Sequence, residues 1–425
     1  MAKIFNKISK ALGTVVLAAS LLAPAVYSGS ALALTAEERE ARLNAKTKVA
    51  TPKVGKKVAQ AFELFSQELV QDALNLLLEV RSSKEYDTAF VNKFIGNIYA
   101  TMEGKTDQAI DYLKKSYEPD TLNYKEQGEV IKLLAQLYMM TKQYDEAVEF
   151  YEKWMAFTGE QEAKIYVRIA NAYYEQKKMD KVIKPADQAI ALATEVEPTP
   201  YVLKLASYFE RKNYPKTVEM GETLVKLFPE EKRNWSQLGM FYVMVEDYKR
   251  SLSTMELAYK QGYLEKASEF KTLAQMYSQN DMPIKAAQIQ EKYIKLGVLE
   301  RTEQNLKALA NYYLASKEMI SAAKYFGEAA KIDDKPSLYK RQGEMLFQAE
   351  KYAQAAVALN KALDKGVKKK GSVNITLMQA YFYSGKYKSA YAALNEANKY
   401  PSAKSQVRSW RQYIKDKAGR KGVKL

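Results

Sequence analysis

The sequence predicts an all-α fold: an α-α superhelix of stacked helix pairs, closed by a C-terminal capping helix. Three observations predict it. The first is an ordered set of small and aromatic residues. In WSQLGMFY, residues 235–242, Gly239 is followed by Tyr242 and then by Ser251, Met255 and Ala258. The same order returns as Ala135, Tyr138, Ala147, Tyr151 and Trp154, and as Ala310, Tyr313, Ala322, Phe326 and Ala329. It returns again as Gly343, Leu346, Ala355, Leu359 and Ala362, and as Met378, Tyr381, Ala390, Leu394 and Ala397. The second observation is the period. The later small site falls at Ala73, Ala109, Ala147, Val182, Thr217, Ser251, Ala286, Ala322, Ala355 and Ala390, with spacings of 36, 38, 35, 35, 34, 35, 36, 33 and 35 residues. The third is turn chemistry between the two halves of a unit, as in GKYK around Gly385 and QNDMP around Pro283.

The elements follow in chain order. Lys3, Lys7 and Lys10 precede an apolar stretch from Ala11 to Val26, and Ala31-Leu32-Ala33 offers small residues for cleavage after Ala33. Residues 1–33 therefore read as an export signal. Residues 34–56 are polar, contain Pro52 and Gly55, and read as a linker. Residues 57–397 hold about ten units. The unit with Gly96 and Tyr99 has one extra residue before Ala109, and the unit with Leu205-Ala206 is read as one residue short before Thr217. Both changes are assigned to the turn, where length is tolerated. Residues 398–425 supply the cap. Val407, Trp410 and Ile414 share a helical face, and Trp410 is expected to cover the last unit. The ending AGRKGVKL is read as flexible.

The pattern resembles the tetratricopeptide repeat, W-x2-L-G-x2-Y then A-x3-F then P at 34 residues. Trp235, Leu238, Gly239 and Tyr242 match its first half, and Pro229 matches the closing proline of the preceding unit. The residue types make physical sense. Ala or Gly at the first small site lets two helices approach, and the second small site is assigned the same task against the next unit. Tyrosine fills the gap with its hydroxyl at the wet edge, which accounts for many of the 32 tyrosines. A single unit cannot bury its apolar side, so stability must come from neighbours.

Composition excludes much chemistry. The chain has no cysteine and no histidine. Disulfides, thiolate metal sites, Ser-His-Asp triads and histidine metal cages are therefore impossible. No carboxylate group has metal-loop spacing. The expectation is a non-enzyme with no cofactor and no bound metal. The formal charge is +16, but residues 402–425 hold eight Lys or Arg against Asp416 alone. Basicity belongs to the tail, which argues against nucleic acid as partner; such a tail can contact anionic lipid headgroups or an acidic partner, and more often simply ends the chain. The lysine runs at Lys56 and Lys368 are read as solvated loops.

Repeat arrays of this kind present the first helix of each unit as a binding groove. The groove positions lie three before and one after the first small site. Lys307 and Asn311 occupy them in one unit, with Lys340 and Arg341 at or beside the equivalent place in the next. In related repeat proteins a Lys/Asn pair followed by basic residues clamps a carboxylate, and the match is partial because Arg341 stands where that pattern has asparagine. Lys132, Arg168, Asn171 and Tyr174 form a second candidate. The whole chain also resembles the exported repeat proteins of Gram-negative bacteria encoded beside TonB, ExbB and ExbD. NWSQLGMFYVMVEDY and SWRQYIKDKAGRKGV carry that likeness. It implies a periplasmic scaffold that binds protein or peptide partners, TonB-system components among them, and assists outer-membrane uptake of iron complexes. A binding module for envelope assembly is the alternative.

Overall fold

A computed structural model describes residues 34–425. The export signal expected at residues 1–33 lies outside them. The described residues form twenty-two α-helices and no strand, which is the all-α helix-pair array the sequence predicts. No helix among them is long and apolar enough to cross a membrane. The chain divides into two units, with the boundary after Lys178.

The first unit contains α1 (Ala36–Asn44), α2 (Pro52–Ser66), α3 (Val70–Leu78), α4 (Glu85–Thr101), α5 (Thr106–Tyr117), α6 (Tyr124–Met140), α7 (Tyr144–Thr158) and α8 (Ala163–Glu175). Helices α2/α3, α4/α5 and α6/α7 pack as hairpins. The segment read as a linker is ordered. Thr35 caps α1 through a capping box with Glu38. Arg42 then pairs with both oxygens of Asp120, at 2.8 and 2.7 Å. The Lys48 backbone N–H donates to Asn123 Oδ1, and the Thr51 N–H donates to Asp87 Oδ1. The first repeat helix begins at Pro52, because proline suits the first helical turn. It therefore starts ahead of residue 57, and Lys56 and Lys57 lie on a helix rather than in a loop.

The second unit contains α9 (Met179–Leu192), α10 (Pro198–Glu210), α11 (Tyr214–Leu227), α12 (Lys232–Met244), α13 (Tyr248–Lys260), α14 (Ala267–Gln279) and α15 (Pro283–Lys295). It continues with α16 (Glu303–Ala315), α17 (Met319–Asp333), α18 (Pro336–Gln348), α19 (Tyr352–Asp364), α20 (Lys370–Tyr383), α21 (Tyr387–Asn398) and α22 (Lys404–Arg420). Six hairpins run from α10/α11 to α20/α21.

Every hairpin turns on a left-handed residue five positions before the second small site. Glu68, Lys142, Lys212, Glu246, Asp281, Lys317 and Glu350 take this conformation, as do Gly104 and Gly385, with φ between 57° and 78°. The next residue closes the helix end. Asp247 N–H donates to the Tyr242 carbonyl at 2.9 Å, and Met282 N–H to that of Tyr277 at 2.9 Å. This long back-bond is the Schellman closure of a helix C-terminus. Because Lys212 keeps its distance from Thr217, the α10 unit has lost no residue. Leu205, not Ala206, occupies the first small site there. In the first unit the extra residue does fall in the turn, before Gly104.

The two small sites face each other inside one hairpin. A Cβ on Gly239 would stand 2.5 Å from Met255 Cγ, and one on Gly343 would stand 2.6 Å from Leu359 Cγ and 3.2 Å from the Ala355 carbonyl oxygen. Ser251 at the second site donates to the Gly239 carbonyl at 2.7 Å. The assignment of the second site to the following unit is thus corrected. Trp235 Nε1 donates to the Pro229 carbonyl at 2.8 Å, tying the start of α12 to the preceding turn.

Consecutive pairs are latched by tyrosine instead. Tyr242 on α12 donates to Glu222 on α11 at 2.6 Å. Tyr313 on α16 and Tyr325 on α17 both donate to Glu291 on α15. Asn360 on α19 donates to the Tyr381 hydroxyl on α20 at 2.6 Å. Burial, with the neighbouring Glu222, pushes the Tyr242 hydroxyl up to about 12 despite Arg250. Burial and Glu256 push Tyr277 up to about 12 as well. Partial burial alone would raise Glu291. Lys295 and the two tyrosine hydroxyls outweigh it and hold the carboxyl at about 2.

The cap is as expected along one face and longer than expected. Val407, Ile414 and Ala418 are buried against the preceding helices. Trp410 lies across Phe382 with ring centroids 5.4 Å apart. The segment read as flexible begins inside this helix. Ala418 is fully buried, and α22 runs to Arg420 before Val423 N–H closes onto the Ala418 carbonyl at 2.9 Å.

Candidate functional site

The first helix of each hairpin buries its first small site, and the positions three before and one after it lie on a flank that is exposed on α16 but not throughout, since Ser236 on α12 and Ile375 on α20 are buried. In the second unit Lys307 and Asn311 are exposed on α16, and Arg341 is exposed on α18. Arg341 Nη1 donates to Asn311 Oδ1 at 3.1 Å and its guanidinium lies 5.4 Å from the Phe326 ring centre. Lys307 lies 3.9 Å from Glu303, and Lys340 3.3 Å from Glu344. The structure therefore brings Asn311 and Arg341 into contact, while each lysine leans on a carboxylate of its own helix. Lys307 is exposed and its pair is long, while Lys340 and Glu344 are half-buried, so an incoming carboxylate competes most easily for Lys307.

The same face carries residues that the polar search of the sequence missed. Lys271 on α14 holds the position equivalent to Lys307 and is exposed, with no ion pair. Toward the start of the unit the face turns apolar. Val202 and Phe209 on α10, and Met240 and Met244 on α12, are 46, 38, 41 and 38% exposed. Phe209 meets Phe241 of α12 with ring centroids 5.9 Å apart, so the two helices present one surface. Val202 stands three before the true small site, Leu205. Taking Ala206 as that site points instead to Leu203 and Ser207, which are both buried.

In the first unit the second candidate group is engaged mainly by α7. Lys132 Nζ lies 2.7 Å from Glu162 and 4.2 Å from the centre of the Trp154 ring. Arg168 Nη1 donates to the Tyr151 hydroxyl at 3.3 Å. Burial pushes that hydroxyl up, and Arg168 pulls against the shift. Asn171 is half-buried, and half-buried Tyr174 carries the Lys177 ammonium 5.2 Å from its ring centre. Lys132 and Arg168 thus hold existing partners, which makes them poorer free anchors than Lys271.

A cleft of about 650 Å³ runs beside the α1 strap, lined by Arg42, Lys46, Lys48, Asn123 and Glu126 among others. Its carboxylates are already bound: Asp120 by Arg42, and Glu126 by the Asn123 N–H and side chain. Among the described residues no group of three or more acidic side chains has the geometry to hold a metal ion.

No protein-family model matches the chain, and no curated protein matches it. Among solved structures it is similar to a tetratricopeptide repeat protein from Parabacteroides merdae, at 13% identity over 62% of this chain and 99% of that one, with a TM-score of 0.36. It is similar to MamA protein at 23% identity over 41% of this chain and 95% of that one, with a TM-score of 0.33. It is also similar to Naa15/Naa10 bound to HypK-THB, at 12% identity over 86% of this chain and 65% of that one, with a TM-score of 0.43. At these scores none of the likenesses bears on function. The described residues form an all-α array of helix pairs, and the outward flank of the first helices in the second unit is the candidate partner surface.

Proposed function

We propose that the protein is a scaffold that holds a protein or peptide partner along the first-helix face of its second unit. One observation carries this reading. Apolar side chains on α10 and α12 are followed on the same face by Lys271, Lys307, Asn311, Lys340 and Arg341 on α14, α16 and α18. Exposed methionine and phenylalanine favour an adaptable apolar segment, and the cations favour carboxylates beyond it. Replacing Lys307 and Lys340 together by alanine should weaken an acidic peptide about tenfold, measured by titration calorimetry, with thermal stability unchanged. A sharp fall in melting temperature would make these lysines structural and remove the proposal.

The finer reading draws on the sequence likeness to repeat proteins encoded beside TonB, ExbB and ExbD. On it the scaffold works in the periplasm, after removal of residues 1–33, as an accessory of TonB-dependent uptake. Crosslinking in intact cells followed by affinity isolation should recover TonB, ExbB, ExbD or an associated receptor. Recovery of cell-wall synthesis or outer-membrane assembly proteins instead, with no TonB-system protein, would move the scaffold to the envelope-assembly reading.

A further inference from the structure

Helix α22 closes the array with one face and leaves the other unanswered. Its inner face is fully used: Val407, Ile414 and Ala418 are buried, Trp410 packs on Phe382, and Arg411 donates to the Tyr391 hydroxyl at 3.2 Å and to Asn395 at 3.3 Å. The outer face and the turn beyond it carry Lys404, Arg408, Lys415, Arg420, Lys421 and Lys424, all exposed. None of these six forms an ion pair. Elsewhere some surface lysines find a carboxylate, as Lys365 finds Asp334 and Lys399 finds Glu396, and others such as Lys271 do not. The one acid in the segment, Asp416, accepts from Gln412 at 2.8 Å.

Exposed aromatic rings border the other flank of the helix. Tyr413 is 52% exposed, and Tyr383 on α20 is 51% exposed. Tyr413 lies 5.6 Å from Trp410, which in turn lies 6.2 Å from Tyr383, so the rings form a continuous border. Amphipathic rings next to lysine and arginine are the composition of a segment that rests at a lipid headgroup layer. Six exposed cations against the single acid Asp416 suit a diffuse anionic sheet better than a single peptide. No helix of the described residues is built to span a bilayer, so the contact is peripheral.

We propose that the outer face of α22 docks the protein on an anionic lipid surface, with Tyr413 and Tyr383 at the headgroup level. This docking is independent of the partner face on α10 to α18. The two proposals rest on different residues, on α10 to α18 for the partner face and on α22 with Tyr383 of α20 for the docking face.

The test is sedimentation of the full chain, lacking residues 1–33, with vesicles of phosphatidylcholine alone or with added phosphatidylglycerol. Binding should require phosphatidylglycerol and fall as salt is raised. The variant Arg408→Gln, Lys415→Gln, Lys421→Gln should lose about a hundredfold in partitioning at low salt, about fivefold per cation, with unchanged helix content by circular dichroism. Tyr413→Ser should weaken binding less and leave its salt dependence in place. Equal binding to both vesicle types, or binding unaffected by the triple substitution, would overturn the proposal. Binding to soluble polyglutamate with none to vesicles would overturn it too, and would assign the face to an acidic protein.

Discussion

At the residue scale, glycine has two opposite meanings in this chain, and the structure separates them. Gly343 is required because Leu359 and a backbone carbonyl occupy the space where a Cβ would go. Gly419 lies on α22 with nothing within 4 Å of that space. Gly343→Ala should therefore destabilise by about 1–3 kcal/mol through overpacking. Gly419→Ala should stabilise by roughly 0.5–1 kcal/mol through helix propensity. Urea unfolding of the two variants checks the sign of each. Spacing alone identified Gly239 and Gly343 as sites of close approach. It erred at Leu205-Ala206, where both residues are apolar and only the left-handed turn at Lys212 fixes which one faces the second helix. A search for polar groove residues passes over Val202 in either register, as it passes over Met240 beside Gly239.

At the element scale, the hairpin turn is the unit of precision. Lysine, glutamate and aspartate occupy a left-handed position that costs a non-glycine residue about 1 kcal/mol. Lys317→Gly should relieve most of that strain and stabilise the second unit by about 0.5 kcal/mol once the added freedom of the unfolded chain is subtracted, read as a higher melting temperature. A fall instead would mean that the Lys317 side chain contributes more than its backbone strain costs. The sequence showed where turns fall through glycine and proline, as at Gly385 and Pro283. It did not show them at Lys142 or Glu246, since nothing in a lysine or glutamate advertises a positive φ. The α1 strap was hidden for a related reason. Its ties are long-range side-chain pairs such as Arg42 with Asp120, which leave no local pattern.

At the scale of the whole molecule, stability accumulates over neighbours, so the ties between pairs decide how it responds to pH. Tyr242 and Tyr277 have folded values raised to about 12. A raised value means stability that is complete below the ordinary tyrosine value of 10 and lost as pH climbs through about 12. Glu291 has a folded value lowered to about 2 from an ordinary 4.5. Its contribution is complete above 4.5 and lost as pH falls through about 2. Denaturant midpoints should therefore decline on both flanks. Tyr242→Phe with Tyr277→Phe should flatten the alkaline flank while lowering the neutral plateau by about 1 kcal/mol per site. An alkaline flank that keeps its slope in that double variant would show that other groups control it. The sequence foretold tyrosine as gap-filler with its hydroxyl at the edge. It did not foretell the carboxylate waiting there, because the acid comes from the preceding pair, 20 residues back in the case of Glu222 and Tyr242.

The joint between α17 and α18 lacks this device. Gly327 stands where the other pairs place Glu222, Glu256 or Glu291, and Leu346 stands where they place the tyrosine. Gln342 closes onto Gly327, and Phe326, Ala329, Ala330 and Leu338 fill the seam with buried hydrocarbon. That seam has no tyrosine–carboxylate latch for strong base to undo, although Tyr339 on α18 is buried in the same cluster. In progressively caustic solution the second unit should come apart like a chain with one welded link, leaving the amides of α17 and α18 the last to exchange with deuterium.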